Sequence, residues 1–362
     1  MLRTSAKNDH LLFIKNIMAI KPKKLQKGDT VAVLSPSKGL PSLFPHIFDN
    51  GIKILQERFG LKIKEFPTAR MSIDELYKNP EIRAKDINHA FFDKDVKAIF
   101  TSIGGDDSIR ILKYINTEIV KNNPKIFMGY SDTTSLTTFF NQLGLVTFNG
   151  PSIMAGFSQM ANFPESENHI EKILFSNSNG YEYKPFSNWT NCYKDWSKKE
   201  NTGQINEIKK TTGWNLIQGE GIVTGELFGG CIEIFEMMNG TKYWPKLDFW
   251  NNKILFTETS EEKPSPDYVK YAFRNYGIQG IFDKIKAILV GRARDYTEEE
   301  EKQLENNIIN VVSKEFGHPE MPIITNMDFG HTDPQLILPL GIKAEVDCQN
   351  MKFKLTENIF EE

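Results

Sequence analysis

Across residues 29–151, short runs rich in β-branched and aromatic residues alternate with longer segments whose apolar positions recur every three or four residues. That alternation is the signature of a parallel sheet covered by helices. It predicts strands over 30–35, 62–66, 97–103, 125–128 and 145–148, and helices over 48–59, 82–92, 106–120 and 133–143. The result is a doubly wound α/β domain, with ligand sites expected at the carboxyl ends of its strands. The alternation lapses over 176–213, where Asn, Lys, Thr and Ser dominate and Trp189 and Trp196 stand among polar neighbours. Beyond this stretch the pattern resumes, with strands expected over 221–225, 253–258, 287–290 and 323–327 and a last helix over 298–316. Thr297 suits the N-cap of that helix, and the acidic run from Glu298 to Glu301 suits the positive end of its dipole. Residues 342–355 read as a closing hairpin around Asn350.

The fold class is therefore α/β, with an N-terminal doubly wound parallel-sheet domain plus a second C-terminal α/β domain. The expected division is 1–17 as an N-terminal extension, 18–175 as the first domain, 176–213 as a linker or substrate loop, and 214–362 as the second domain. The extension is set apart because the sequence from Met18 reads like a natural start leading into the first strand.

Composition narrows the function classes. A chain of 362 residues exceeds the usual size of a single core, in agreement with two domains. The net charge of −3, with no basic face implied, sets nucleic-acid polymers aside as partners. Cys192, Cys231 and Cys348 are odd in number and far apart, and read as reduced, structural thiols. No metal-ligand spacing such as H-E-x-x-H occurs, so no metal or other cofactor is expected. The run from Leu11 to Ile14 is too short for a secretory core, and no other stretch is long enough to span a bilayer, so no membrane partner and a cytoplasmic location are expected.

Four short segments carry candidate chemistry. Ser131 follows the strand over 125–128 through Gly129 and Tyr130 and directly precedes a helix. This layout exposes a nucleophile at a sheet edge and places the N–H of Asp132 at a helix N-terminus, where an oxyanion is stabilised. The G-x-S-x-G elbow is not met, because Thr133 stands where its second glycine belongs. A hydroxyl at this point also suits a helix N-cap. Gly104 and Gly105 follow another strand, where their N–H groups suit a second oxyanion donor and where a plain tight turn is equally compatible. Glu258 closes the strand over 253–258, and His331 lies in a polar glycine turn after the strand over 323–327. A serine needs a base, and the base needs an acceptor to hold its tautomer, which a Ser, His, Glu set supplies. His10, His46, His89, His169 and His318 lack such turns and are weaker candidates.

Taken together, GGDDS, GYSDTT, LFTETSEE and FGHTDP resemble the motifs of the LD-carboxypeptidase family of serine peptidases, and most closely its microcin C immunity, MccF-like, branch. The resemblance runs from about Lys21 through Thr356 and includes KPKKLQKGDTVAVLSPS, FNGPS and LPLGIKAEVD. It implies Ser131 as nucleophile, His331 as base and Glu258 as its orienter, with the N–H groups of Asp132 and of Gly105, or its neighbour Gly104, forming the oxyanion hole. It also implies a site at the domain interface and a homodimer. The implied reaction is either hydrolysis of a peptidyl- or aminoacyl-nucleotide of the microcin C type, conferring immunity, or L,D-cleavage of a murein tetrapeptide in cell-wall recycling. The polar stretch over 176–213 resembles the immunity branch, in which a loop tryptophan stacks on the nucleobase; Trp196 is the first candidate and Trp189 the second. Glu262 stands where one immunity enzyme has lysine, four residues after the glutamate, which speaks against recognition of an acidic aspartyl group. Outside enzymes, the same cleft would suit a peptide- or nucleotide-binding protein.

Overall fold

The computed structural model describes residues 19–191 and 193–361, so the proposed extension over 1–17 and Cys192 lie outside the described residues. The first sheet is built from strands β1 (Thr30–Leu34), β2 (Lys62–Glu65), β3 (Val96–Thr101), β4 (Ile126–Gly129) and β5 (Thr147–Asn149), all parallel, in the spatial order β5-β4-β3-β1-β2. Alternate residues on a strand face opposite sides, and both sides are buried. Val31, Val33, Ala98, Phe100 and Met128 pack with Phe48 and Leu55 of the helix Pro45–Phe59. Ala32, Leu34, Ile99 and Phe127 pack with Ile87 and Phe91 of the helix Pro80–Phe92 and with Leu136 and Phe140 of the helix Thr134–Gln142. Burial on both faces is why β1, β4 and most of β3 read as apolar runs, whereas the edge strand β2 is largely exposed and charged.

Two helices differ from expectation. The first begins at Pro45 rather than residue 48, because proline at the first position has a preset φ and no N–H to lose. The stretch over 106–120 is not one helix. It forms a 3-10 segment, Ser108–Tyr114, and a short helix, Thr117–Asn122, whose start is capped by the Asn116 side chain accepting from the N–H groups of Glu118 and Ile119. Asparagine's side chain competes for backbone donors and turns a helix interior into a helix start.

Further strands are β6 (Glu182–Tyr183), β7 (Asn188–Trp189), β8 (Lys209–Lys210), β9 (Asn215–Gln218), β10 (Ile222–Cys231), β11 (Lys253–Glu258), β12 (Ala287–Gly291), β13 (Ile323–Met327), β14 (Leu338–Leu340), β15 (Lys343–Asp347) and β16 (Lys352–Leu355). The second sheet has the order β6-β16-β15-β10-β11-β12-β13-β9, parallel from β10 to β13 and antiparallel at both flanks. The strand expected over 221–225 runs on to Cys231, since residues 227–231 are buried and pair with β11 throughout. Thr297 and Glu300 form a reciprocal capping box at the last helix, which is α-helical over Glu298–Ile309 and widens to a π-helix over Asn310–Glu315. β15 and β16 are the expected hairpin.

Backbone pairing helps to join the halves. β14, although it follows the His331 turn, pairs antiparallel with β5 and completes the first sheet. Thr190, in the polar stretch, exchanges backbone hydrogen bonds with Asp333 at 2.8 and 3.1 Å. Among the described residues, Cys231 and Cys348 are buried free thiols and no helix is long and apolar enough to cross a membrane.

Candidate active site

β4 ends at Gly129, Tyr130 is extended, and Ser131 turns the chain at φ 58° into a 3-10 turn that leads directly into the helix Thr134–Gln142. The left-handed region costs a serine roughly 1 kcal/mol, so the surrounding structure must impose it. The side chain caps nothing: neither the 3-10 turn nor the following helix has a side-chain cap hydrogen bond at its start. The N-cap alternative for Ser131 therefore does not describe this structure.

The Gly104–Gly105 turn presses against the serine. A Cβ at Gly104 would lie 2.7 Å from Ser131 Cβ, 2.8 Å from its Oγ and 3.3 Å from the backbone nitrogen of Asp132. Gly105, at φ +153°, leaves no room either, because a Cβ there would fall 2.1 Å from Ser37 Oγ. What holds this turn is the Asp132 side chain, a role not visible in the sequence. Its buried carboxylate accepts the Ser37 hydroxyl at 2.5 Å and the N–H groups of Asp107 and Ser108 at 3.1 and 2.8 Å. The Asp107 carboxylate in turn receives two hydrogen bonds from the buried Arg83, at 2.6 and 3.0 Å. Burial pushes the Asp132 carboxyl up, against the pull of its donors.

On the second sheet, Glu258 at the end of β11 meets His331, with Oε2 2.7 Å from Nδ1. Close approach depends on Gly330 at φ +103°, where a Cβ would come within 2.8 Å of both Cβ and Oε2 of Glu258. His331 also packs edge-on against Tyr130, the residue before Ser131, with ring centroids 4.9 Å apart. The structure thus brings the histidine–glutamate pair of one sheet against the serine turn of the other. His331 Nε2 makes no hydrogen bond to Ser131 and instead lies 2.9 Å from the Glu261 carboxylate, within ion-pair range but outside hydrogen-bond geometry. Burial pulls the imidazole down, but the charge and hydrogen bond of Glu258, followed by Glu261, outweigh it and raise His331 to about 10. Burial pushes Glu258 up, against the pull of His331.

The polar stretch walls this site, since its Thr190 is bonded to the residue two beyond His331. Trp196 is only 8% exposed, stacked on Tyr193 at 4.1 Å and met edge-on by Phe44. Trp189 is partly buried, with Arg292 and Lys209 over its ring at 4.5 and 5.0 Å. Glu262 is exposed. Among the described residues, no group of three or more His, Cys, Asp or Glu is arranged to hold a metal ion. Glu261 and Tyr193 escaped sequence reading. One stands in an acidic run and the other in a polar one, and only chain folding puts Glu261 beside His331 and Tyr193 near Glu261 and Asp333.

Residues 31–150 match the LD-carboxypeptidase N-terminal domain and residues 224–346 the LD-carboxypeptidase C-terminal domain. The chain is 30% identical over 339 residues to a provisionally named carboxypeptidase of Vibrio cholerae, covering 92% of this chain and 97% of the relative. It is 27% identical over 339 residues to the microcin C7 self-immunity protein MccF of Escherichia coli, covering 92% and 94%. Its fold matches that of an MccF-like protein from Streptococcus pneumoniae in complex with AMP, with a TM-score of 0.81 and 29% identity over 91% of this chain and 98% of the other. MccF in complex with glutamyl sulfamoyl guanosine matches with a TM-score of 0.81 and 26% identity over 94% and 99%. Two α/β halves of this kind define a serine peptidase-type hydrolase. The chain belongs to the LD-carboxypeptidase family.

Proposed function

We propose that this protein hydrolyses the amide bond of a peptidyl- or aminoacyl-nucleotide of the microcin C type, with Ser131 as nucleophile, His331 as general base and Glu258 as orienter. The observation that carries the reading is the 2.7 Å Glu258–His331 pair set against the left-handed Ser131 turn. In the reaction, Ser131 Oγ bonds to the carbonyl carbon while its proton passes to His331 Nε2. The tetrahedral oxyanion is stabilised by the N–H of Asp132 and that of Gly105 or Gly104. His331 returns the proton to the leaving nitrogen as the C–N bond breaks, and water, deprotonated by the same imidazole, releases the acyl group from Ser131.

The nucleotide part of the reading is supported by the AMP and glutamyl sulfamoyl guanosine held by the S. pneumoniae and MccF structures. For a base to stack, Trp189 retains more open surface than Trp196, whose ring is covered by Tyr193 and Phe44. Glu262 favours acyl groups without an acidic side chain, since like charges repel at close range. A cytoplasmic homodimer in self-immunity or detoxification fits this activity. The test is paired incubation with an aminoacyl sulfamoyl-adenosine and a murein tetrapeptide. Cleavage of the first and loss of about 10⁶-fold in rate in Ser131→Ala are expected. Cleavage of the tetrapeptide alone would assign the protein to cell-wall recycling, and ligand binding without turnover would make it a binding protein.

A further inference from the structure

His331 Nε2 is the atom that must take the serine proton, and it lies 2.9 Å from Glu261. The imidazole therefore stands between two carboxylates, Glu258 at Nδ1 and Glu261 at Nε2. The two acids are differently placed. Glu258 is fully buried at a strand end, whereas the Glu261 side chain is 50% exposed in the loop that follows. That loop is tied at its base, because the Ser260 N–H donates to Glu233 at 2.9 Å and its hydroxyl donates to the same oxygen. Of the two acids, only Glu261 has open solvent to turn into.

We propose that Glu261 is a positioning residue that holds His331 through Nε2 in the unliganded protein and gives it up when substrate fills the site. The inference rests on the triad reading above. While Glu261 is in place, a proton on Nε2 is stabilised and the ring cannot accept the one on Ser131. Once Glu261 turns outward, Nε2 faces the serine and loses one of its two stabilising charges. Other groups share this surrounding: Tyr130 on the serine turn, Asp333 on the histidine's own loop, Arg294 and Tyr193 acting on Glu261 and Asp333, and Glu233 acting on Glu258. Among the described residues, Glu261 is the acid at ion-pair distance from Nε2. His331 in turn holds the Glu261 carboxyl down to about 2, so the contact stays charged across the working pH range.

Glu261→Gln keeps the shape and removes the charge. Two readouts test it. The first is the titration of the His331 imidazole by ¹⁵N NMR, assigned with His331→Asn. The second is the pH profile of fluorophosphonate labelling, in which Ser131 Oγ bonds to phosphorus, fluoride leaves and the hydroxyl proton goes to Nε2. In Glu261→Gln the imidazole midpoint is expected to fall by about one pH unit or more, and labelling near pH 7 to accelerate by up to about tenfold. An unmoved midpoint, or slower labelling with an unshifted profile, would overturn the proposal. A wild-type protein that takes no label would count against Ser131 as nucleophile, and the imidazole titration, which needs no reaction, would still decide the role of Glu261.

Discussion

Ser108 donates to Asp132 twice: its N–H to the carboxylate at 2.8 Å and its hydroxyl to the backbone carbonyl at 2.7 Å. The GGDDS and GYSDTT turns are thereby fastened into one unit, with Ser37 as a third member. Asp132→Ala would leave three donors without their acceptor, at a cost of about 3 kcal/mol. Asp132→Asn keeps one acceptor oxygen and should lose less stability, while kcat falls more than KM rises because the proposed oxyanion donors shift. Urea unfolding together with steady-state kinetics checks both; equal stability in all three proteins would contradict the role given to this carboxylate.

At Gly330, alanine would combine a disfavoured φ of +103° with a Cβ 2.8 Å from Glu258 Oε2. The contact forces the carboxylate off the imidazole, and a misplacement of about 1 Å costs on the order of 10²-fold in rate. The expected signature of Gly330→Ala is a fall in kcat with little change in KM, together with a lowered thermal midpoint, since both the backbone and the buried pair are strained.

Ser131 invites a comparison of two variants that lack its hydroxyl. Ser131→Ala keeps a Cβ in the left-handed region at φ 58°, and Ser131→Gly removes it. The glycine variant should match or exceed the alanine variant in stability, the release of roughly 1 kcal/mol being partly offset by added freedom in the unfolded chain. A calorimetric comparison in which glycine is clearly the weaker would show that the turn is not strained.

How far all this was readable beforehand differs by residue. Strands such as Val31–Leu34 and Ile254–Phe256 announce themselves because both faces are buried and every position is apolar or β-branched. The helix break at Asn116 was hidden, since asparagine is only mildly unfavourable inside a helix and its role emerges when its side chain finds the free donors of Glu118 and Ile119. Leu338–Leu340 contains a proline and reads as a loop; it is an edge strand, where a missing N–H costs nothing. Ser131, Glu258 and His331 stood out through the chemistry of their turns. Glu261 did not, because its contact depends on how the loop between Glu258 and Pro266 folds back.

His169 supplies a pH dependence. Its Nε2 accepts the N–H of Ile337 at 2.8 Å, leaving Nδ1 to donate to the Tyr181 hydroxyl at 2.7 Å, so the ring is held neutral, and burial pulls it from 6.5 down to about 3. In the unfolded chain the ring protonates as pH drops below 6.5. The stability it provides is complete above that pH and is lost as pH falls toward 3, by a few kcal/mol in all. His331 acts in the opposite sense: its contribution is full below 6.5 and fades as pH rises through about 10, so it is constant over the acid window. Urea midpoints at pH 7 and 4.5 should therefore converge in His169→Gln relative to wild type.

Because β14 leaves the histidine-bearing half to complete the sheet that carries the serine, the serine-bearing half does not own a finished sheet. Heating should produce a single calorimetric transition rather than two, and a chain cut between the halves would have to regain three residues of strand, Leu338–Leu340, before the serine-bearing sheet was whole. Assembly of the proposed reactive centre and completion of the fold are then one event, so a partly folded chain would carry Ser131 without His331 set against it.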